Sequence, residues 1–407
     1  MKATSHKTER IYALDSLRAI LMLIGIIFHT TLTYRVNFVG GWSLHDPMGD
    51  HILNDYITDF VHSFRMQHFY LIAGFFGAML FYDRGALQII KNRFSRIVLP
   101  FVLFLLILYP LCNLAREYSE LIFSGSDSAL EATLAEFSFP DSLIPETTKH
   151  LWFLYYLILF TASSICLGVV FKKLPSFSNR ISKAFNWVMQ QTKFRILILS
   201  GITFLIYSLI DPEAIEDSFY YLIPDLSVFT FYFFFYLAGW VLFKSKHLLK
   251  TMMRSDWICA IIGLILFSVH FYMEESINEI LSLKLIIKAL TSWLFIFGVT
   301  GLFLRYGSNY SKRMRYISDS SYWVYLLHLP LTLVIPGLIA DWPLPANLKL
   351  LIVVTITSII CFGTYHYLVR GTFIGKFLNG RKYPTKSSDR KEPEVSSKLK
   401  PVLNNEL

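Results

Sequence analysis

Ten apolar stretches of about 20 residues, separated by short polar connections, recur between residues 11 and 369. A helix of roughly that length spans the hydrocarbon layer of a bilayer. Inside that layer only helices and closed barrels satisfy every backbone donor and acceptor. The stretches are Ile11–Tyr34, Val61–Tyr82, Ile97–Ala115, Lys149–Phe171, Arg195–Ile210, Leu226–Phe243, Asp256–Met273, Lys284–Leu304, Ile317–Leu338 and Leu348–Val369. The fifth and sixth carry the weakest signal, being short or very aromatic. Only 16% of residues are charged and 54% are hydrophobic, against about 25% charged in a soluble domain. A soluble chain of this composition would need one enormous apolar core. The expected fold is all-α: a polytopic membrane protein of about ten transmembrane helices.

The net charge of +9 does not point to nucleic acid, because the basic residues fall in alternate connections and form no binding stripe. Residues 1–10, 83–96, 172–195, 244–255, 305–316 and the tail from Arg370 hold 30 of the 38 Lys and Arg. The intervening connections hold 20 of the 29 Asp and Glu. The positive-inside rule then puts both termini in the cytoplasm. The first apolar run lacks a small-residue cleavage site and is too long for a signal peptide, so it reads as an uncleaved span. Cys112, Cys166, Cys259 and Cys361 sit singly in different stretches, a spacing that suggests neither a metal site nor a disulfide framework. Residues 1–375 form one expected membrane domain. The Lys-, Ser- and Pro-rich residues 376–407 read as a disordered cytoplasmic tail. The external segment Arg116–Thr148 is long enough to be a lid or a plain connector.

Ionisable groups within spans are costly in hydrocarbon and mark function by default. The first span carries Asp15, Arg18 and His29. Asp15 and Arg18 are three apart and can pair. Eleven residues separate Arg18 from His29, close to three full turns and about 16 Å along one helix face. The second span opens at its external end with His62, Ser63, Phe64, Arg65, Met66, Gln67 and His68. His62 and Arg65 reach the layer of His29, or else snorkel to the interface. Arg93 and Arg96 precede the third span. Two guanidinium forks there suit a phosphate-bearing ligand, though topology anchoring would also explain them. His150 and Trp152 open the fourth span, and the ninth contains Asp319, Tyr322, Tyr325 and His328. Trp152 and Tyr322 are also ordinary candidates for an interfacial aromatic belt.

These residues resemble the membrane-bound acyltransferase 3 family. The resemblance rests on Leu14-Asp15-Ser16-Leu17-Arg18-Ala19 followed by His29, and on Arg93-x-x-Arg96. It also rests on His62-Ser63-Phe64-Arg65-Met66-Gln67, His150-Leu151-Trp152-Phe153-Leu154 and Tyr325-Leu326-Leu327-His328 with Pro330, standing in order across the membrane region. The resemblance implies a bacterial inner-membrane enzyme that takes an acyl group, succinyl foremost, from a cytoplasmic acyl-CoA to hydroxyls of a periplasmic glucan. Acyl-CoA is then a co-substrate, and no resident cofactor or metal is implied. Glucan synthesis or export machinery would be the neighbouring partners, alongside the lipid bilayer.

On this reading His29 is the general base, with Arg65 and His328 completing the catalytic group. Arg18, Arg93 and Arg96 hold the nucleotide phosphates at the inner mouth, while His62, Trp152 and Tyr325 line the substrate path. Ser63 is open as an acyl carrier only by its position. Val36–Thr58 and Arg116–Thr148 depart from the family pattern, so the resemblance bears least on the choice of acceptor. Two other readings stand beside this one: an O-acetyltransferase of lipopolysaccharide or another exported polysaccharide, and a glycan transporter without chemistry. Against the transporter, the sequence shows neither an internal repeat nor midplane helix breaks.

Overall fold

The computed structural model describes residues 11–136, 143–217, 220–273 and 280–380. In chain order the helices are α1 (Tyr12–Thr31), α2 (Ile52–His62), α3 (Arg65–Arg84), α4 (Ala86–Arg93), α5 (Leu99–Phe123), α6 (Ala129–Glu136), α7 (Trp152–Lys173) and α8 (Pro175–Gln190). Then follow α9 (Arg195–Leu209), α10 (Ala214–Asp217), α11 (Leu226–Lys244), α12 (Asp256–Tyr272), α13 (Leu281–Tyr306), α14 (Lys312–Leu338), α15 (Ala346–Thr364) and α16 (Phe373–Asn379). The described residues contain no strand, only an isolated bridge between Thr147 and Tyr221. The protein is all-α, as its composition required.

A helix coincides with each of the ten apolar stretches. Seven are long and apolar enough to cross a membrane: α1, α4 continuing into α5, α7, α11, α13, α14 and α15. An eighth is counted when α12 is joined to the short helix Lys246–Arg254, across a bend of 67°. α9 is apolar but only 15 residues long. α3 opens on the polar turn Arg65-Met66-Gln67-His68 and is buried on nearly every face, as expected of a helix enclosed by others.

Glycines set the central packing. A Cβ on Gly74 would lie 1.9 Å from the Tyr236 carbonyl oxygen, and one on Gly239 would lie 1.8 Å from that of Leu71. The backbones of α3 and α11 therefore touch, the close approach that small residues permit between membrane helices. α14 packs on α1, α5 and α15, while α13 packs on α12 and α9. Prolines mark helix geometry as well: Pro100 sits in the first turn of α5, and Pro110, Pro330 and Pro336 lie inside helices. Away from the site, Arg195 is fully buried, bonded to Thr251 and Ser255 and lying over the Phe297 ring. These contacts tie α9 to the segment that precedes α12.

Three local departures from the sequence reading affect the site. The second stretch is not one helix, because the chain breaks at Ser63–Phe64 between α2 and α3. The segment Phe94–Val98 is a π-helical turn, which alters the angular relation between Arg93 and Arg96. Residues 376–379, assigned by composition to a tail, complete α16. Residues 381–407 of that predicted tail lie outside the described residues, as do 137–142 of the segment Arg116–Thr148. The first part of that segment extends α5 to Phe123 and adds α6.

Candidate active site

α1 ends at Thr31, and the chain then folds back over that end. The Asp46 amide donates to the Thr33 carbonyl at 3.1 Å, and the His51 amide to that of Tyr34 at 3.1 Å. Two ion pairs clamp this fold-back. Arg35 Nε meets Asp55 Oδ1 at 3.2 Å, and Asp55 also accepts from the Val36 and Asn37 amides. Lys349 Nζ, from α15, meets Asp46 Oδ2 at 2.8 Å and donates to the Ala340 carbonyl at 2.9 Å, with both partners sealed from solvent. The result is that Trp42 stacks on His29, ring centroids 5.8 Å apart and planes 29° from parallel.

Beneath Trp42, three imidazoles run side by side. The His29 and His328 rings are 5.2 Å apart, and those of His328 and His150 are 5.3 Å apart at 88°. His29 is half-buried on the last turn of α1, whereas His328 and His150 are buried. The Arg65 guanidinium lies over the Phe28 ring at 5.3 Å, and the His62 ring meets the same phenylalanine edge-on at 5.9 Å. A Cβ placed on Gly25, one turn before His29, would come within 3.2 Å of Arg65 NH2 and 3.6 Å of His328 Nε2. The bare glycine thus leaves room where guanidinium and imidazole face each other.

The hydrogen bonding is incomplete in a specific way. His29 Nδ1, His150 Nδ1, His328 Nε2 and Arg65 Nε are all buried without a partner. Arg65 has no carboxylate partner among the described residues. Buried polar groups are normally satisfied, and an unpaired buried cation is costly. Imidazole nitrogens lacking donors, next to a guanidinium lacking an acceptor, suit a ligand that brings hydroxyl hydrogens and a developing negative charge.

The sequence-selected residues separate into groups. His29, Arg65, His328 and Tyr325 come together, with His62 at their edge. The break before α3 means that His62 and Arg65 do not share a helix face, yet both still reach Phe28. Trp152 turns instead into an aromatic cluster with Tyr70, Tyr156 and Tyr232. His68 is fully buried and bonds Thr300 Oγ1 at 2.8 Å. Ser63 donates to the Phe60 carbonyl.

At the opposite end of α1, Arg18 pairs loosely with Asp15 at 3.8 Å and lies over Phe76. Arg93 interacts electrostatically with Arg18 and Tyr236, and its Nε is buried without a partner. Arg96 faces α16, donating to the Asn379 carbonyl at 2.5 Å. The π-turn that follows Arg93 and contains Arg96 sends the two forks to different neighbours, so Arg18 and Arg93 make the basic pair at this end of α1.

Two participants escaped the sequence reading, and a third, His150, was noted at the mouth of its span but given no role. Trp42 lies in a connection whose path only the fold reveals, and Gly25 is one glycine in an apolar run. His150 carried a usable signal, an ionisable residue at the mouth of a span, of the kind that singled out His29.

Comparison with known proteins places the chain in a family. A family described as Acyltransferase domain matches residues 11–366. The chain is 28% identical to Glucans biosynthesis protein C of Salmonella paratyphi B over 338 residues, covering 81% of this chain and 84% of that one. It is 27% identical to Glucans biosynthesis protein C of Escherichia coli O81 over 360 residues, covering 82% and 86% respectively. No solved structure matches the chain.

Proposed function

This chain belongs to that acyltransferase family, and on that premise we propose that it is an inner-membrane enzyme that moves a succinyl group from a cytoplasmic acyl-CoA to a hydroxyl of a periplasmic glucan. One observation carries the proposal. Imidazole nitrogens without donors and a guanidinium without an acceptor meet at the outer end of a helix whose inner end presents Arg18 beside Arg93. The glucan acceptor follows from the names of the relatives, and succinyl is the acyl group that leaves an anion for a buried Arg to hold.

The roles follow from the chemistry of each group. Arg18 and Arg93 bind donor phosphates through charge-assisted contacts, with Arg96 at the rim. The pantetheine arm runs outward along α1 and presents its thioester at the space left by Gly25. The acceptor hydroxyl enters from the other side, beneath Trp42. His29 takes the hydroxyl proton as the oxygen attacks the thioester carbonyl, an effect typically of about 10²–10⁴-fold. Arg65 donates to the oxyanion of the tetrahedral intermediate. On collapse the C–S bond breaks, the new ester C–O bond remains, and the proton held by His29 passes to the departing thiolate as free CoA. His328 lies across from His29, where it can hold the attacking hydroxyl in line, and the Tyr325 carbonyl orients its ring. No acyl-enzyme is needed.

The test uses the full chain in proteoliposomes, with succinyl-CoA or acetyl-CoA on one side and a linear glucan on the other. The expected product is glucan heavier by one succinyl group, formed only when donor and acceptor are on opposite sides. Acetyl transfer in preference to succinyl would refute the donor assignment. Absence of any transfer would refute the enzyme reading.

A further inference from the structure

His150 is bound by a bond that the sequence of α14 makes available. In an α-helix the Leu326 carbonyl would accept from the amide four residues on, but position 330 is proline and has no N–H. That orphaned carbonyl is taken by His150 Nε2 at 3.1 Å. A carbonyl can only accept, so Nε2 carries the proton and Nδ1 is a bare lone pair. The same region closes on itself: the Tyr325 hydroxyl donates to the His150 carbonyl at 2.8 Å, and His328 Nδ1–H donates to the Tyr325 carbonyl at 2.7 Å. By the same logic His328 Nε2 is bare. Both imidazoles are at least nine-tenths buried, and neither free nitrogen has a partner.

Backbone carbonyls therefore lock two neighbouring histidines, from α14 and from the turn Lys149–Leu151 that precedes α7, in neutral tautomers that can only accept at their open edges. What sets these two rings apart from other buried histidines is their place beside His29, whose ring lies 5.2 Å from that of His328, itself 5.3 Å from that of His150. We propose that His150 and His328 form the subsite for the acceptor sugar, in which His150 Nδ1 accepts a hydrogen bond from a hydroxyl next to the one acylated. The ligand class is a pyranoside presenting adjacent hydroxyls. This rests on the acyl-transfer reading above, which it refines by naming the group that recognises the sugar.

Two substitutions divide the ring's two functions. His150→Gln keeps an N–H where Nε2 stands, preserving the bond to Leu326, and removes the acceptor at the Nδ1 position. His150→Asn keeps an oxygen near Nδ1 and gives up the Leu326 bond. With succinyl-CoA and a linear glucan oligosaccharide in proteoliposomes, His150→Gln raises the acceptor KM about tenfold, with donor KM and kcat within about twofold. His150→Asn retains the acceptor KM and loses thermal stability. If His150 only joined the two elements, the Gln variant would match the unsubstituted protein and the inference would be overturned. A measurement on the unsubstituted protein guards against a Gln variant that does not fold. Oligosaccharides lacking single hydroxyls should include one whose KM is about tenfold higher, and equal KM for all of them would also overturn the inference. If the unsubstituted protein transfers to no glucan at all, the acyl-transfer reading fails instead, a distinct result.

Discussion

Replacing Lys349 with Met probes how the cover over His29 is held. Lys349 and Asp46 are both 0% exposed, with Nζ and Oδ2 at 2.8 Å. After Lys349→Met, the Asp46 carboxylate stays buried with one remaining bond, from the Met48 amide at 2.9 Å. Removing one partner of such a pair typically costs about 3–5 kcal/mol, because a charge is left without compensation. The loss falls on the segment that carries Trp42, so the expected result is lower thermal stability in detergent together with weaker acyl transfer at temperatures where the bundle remains folded. The double variant Lys349→Met/Asp46→Leu removes both charges and should recover most of the stability, giving strong non-additivity. A single-variant loss below about 1 kcal/mol, the range of an exposed pair, would show that the pair is hydrated and does not hold the cover.

Other substitutions test the remaining parts. His29→Ala should reduce transfer by about 10²–10⁴-fold while the protein still inserts and unfolds like the parent; transfer at the parental rate would remove His29 from the chemistry. Gly25→Ala, whose Cβ would lie 3.2 Å from Arg65 NH2, should lower transfer about tenfold as Arg65 and His328 are displaced, and a variant of full activity would refute the proposed thioester space. Gly239→Ala, whose Cβ would lie 1.8 Å from the Leu71 carbonyl, should lower stability by about 1–3 kcal/mol as α3 and α11 are forced apart. Unfolding in detergent checks it, with an unchanged midpoint as the contrary result.

The chain's own pattern of residues specified the helices and nearly all of the groups now seen at the two ends of α1. Apolar length and the placing of Lys and Arg are local properties, legible without knowing any contact. The rule that an ionisable residue is expensive in lipid is equally local, and it selected His29, Arg65 and His328 before any packing was known. What packing alone decided is which of these meet. Trp152 and His68 had credentials as good as those of His150, yet they turn into other interfaces, because the touching backbones of α3 and α11 and the break at Ser63 set the rotation of each helix. Trp42 reaches His29 only because ion pairs between residues 20 and 303 positions apart fold its connection back. The His150 bond depends on a proline in a different helix 180 positions downstream. Periodicity reports which face of a helix is apolar. Convergence of polar atoms depends on distances between helices, and those are set by contacts far apart in sequence.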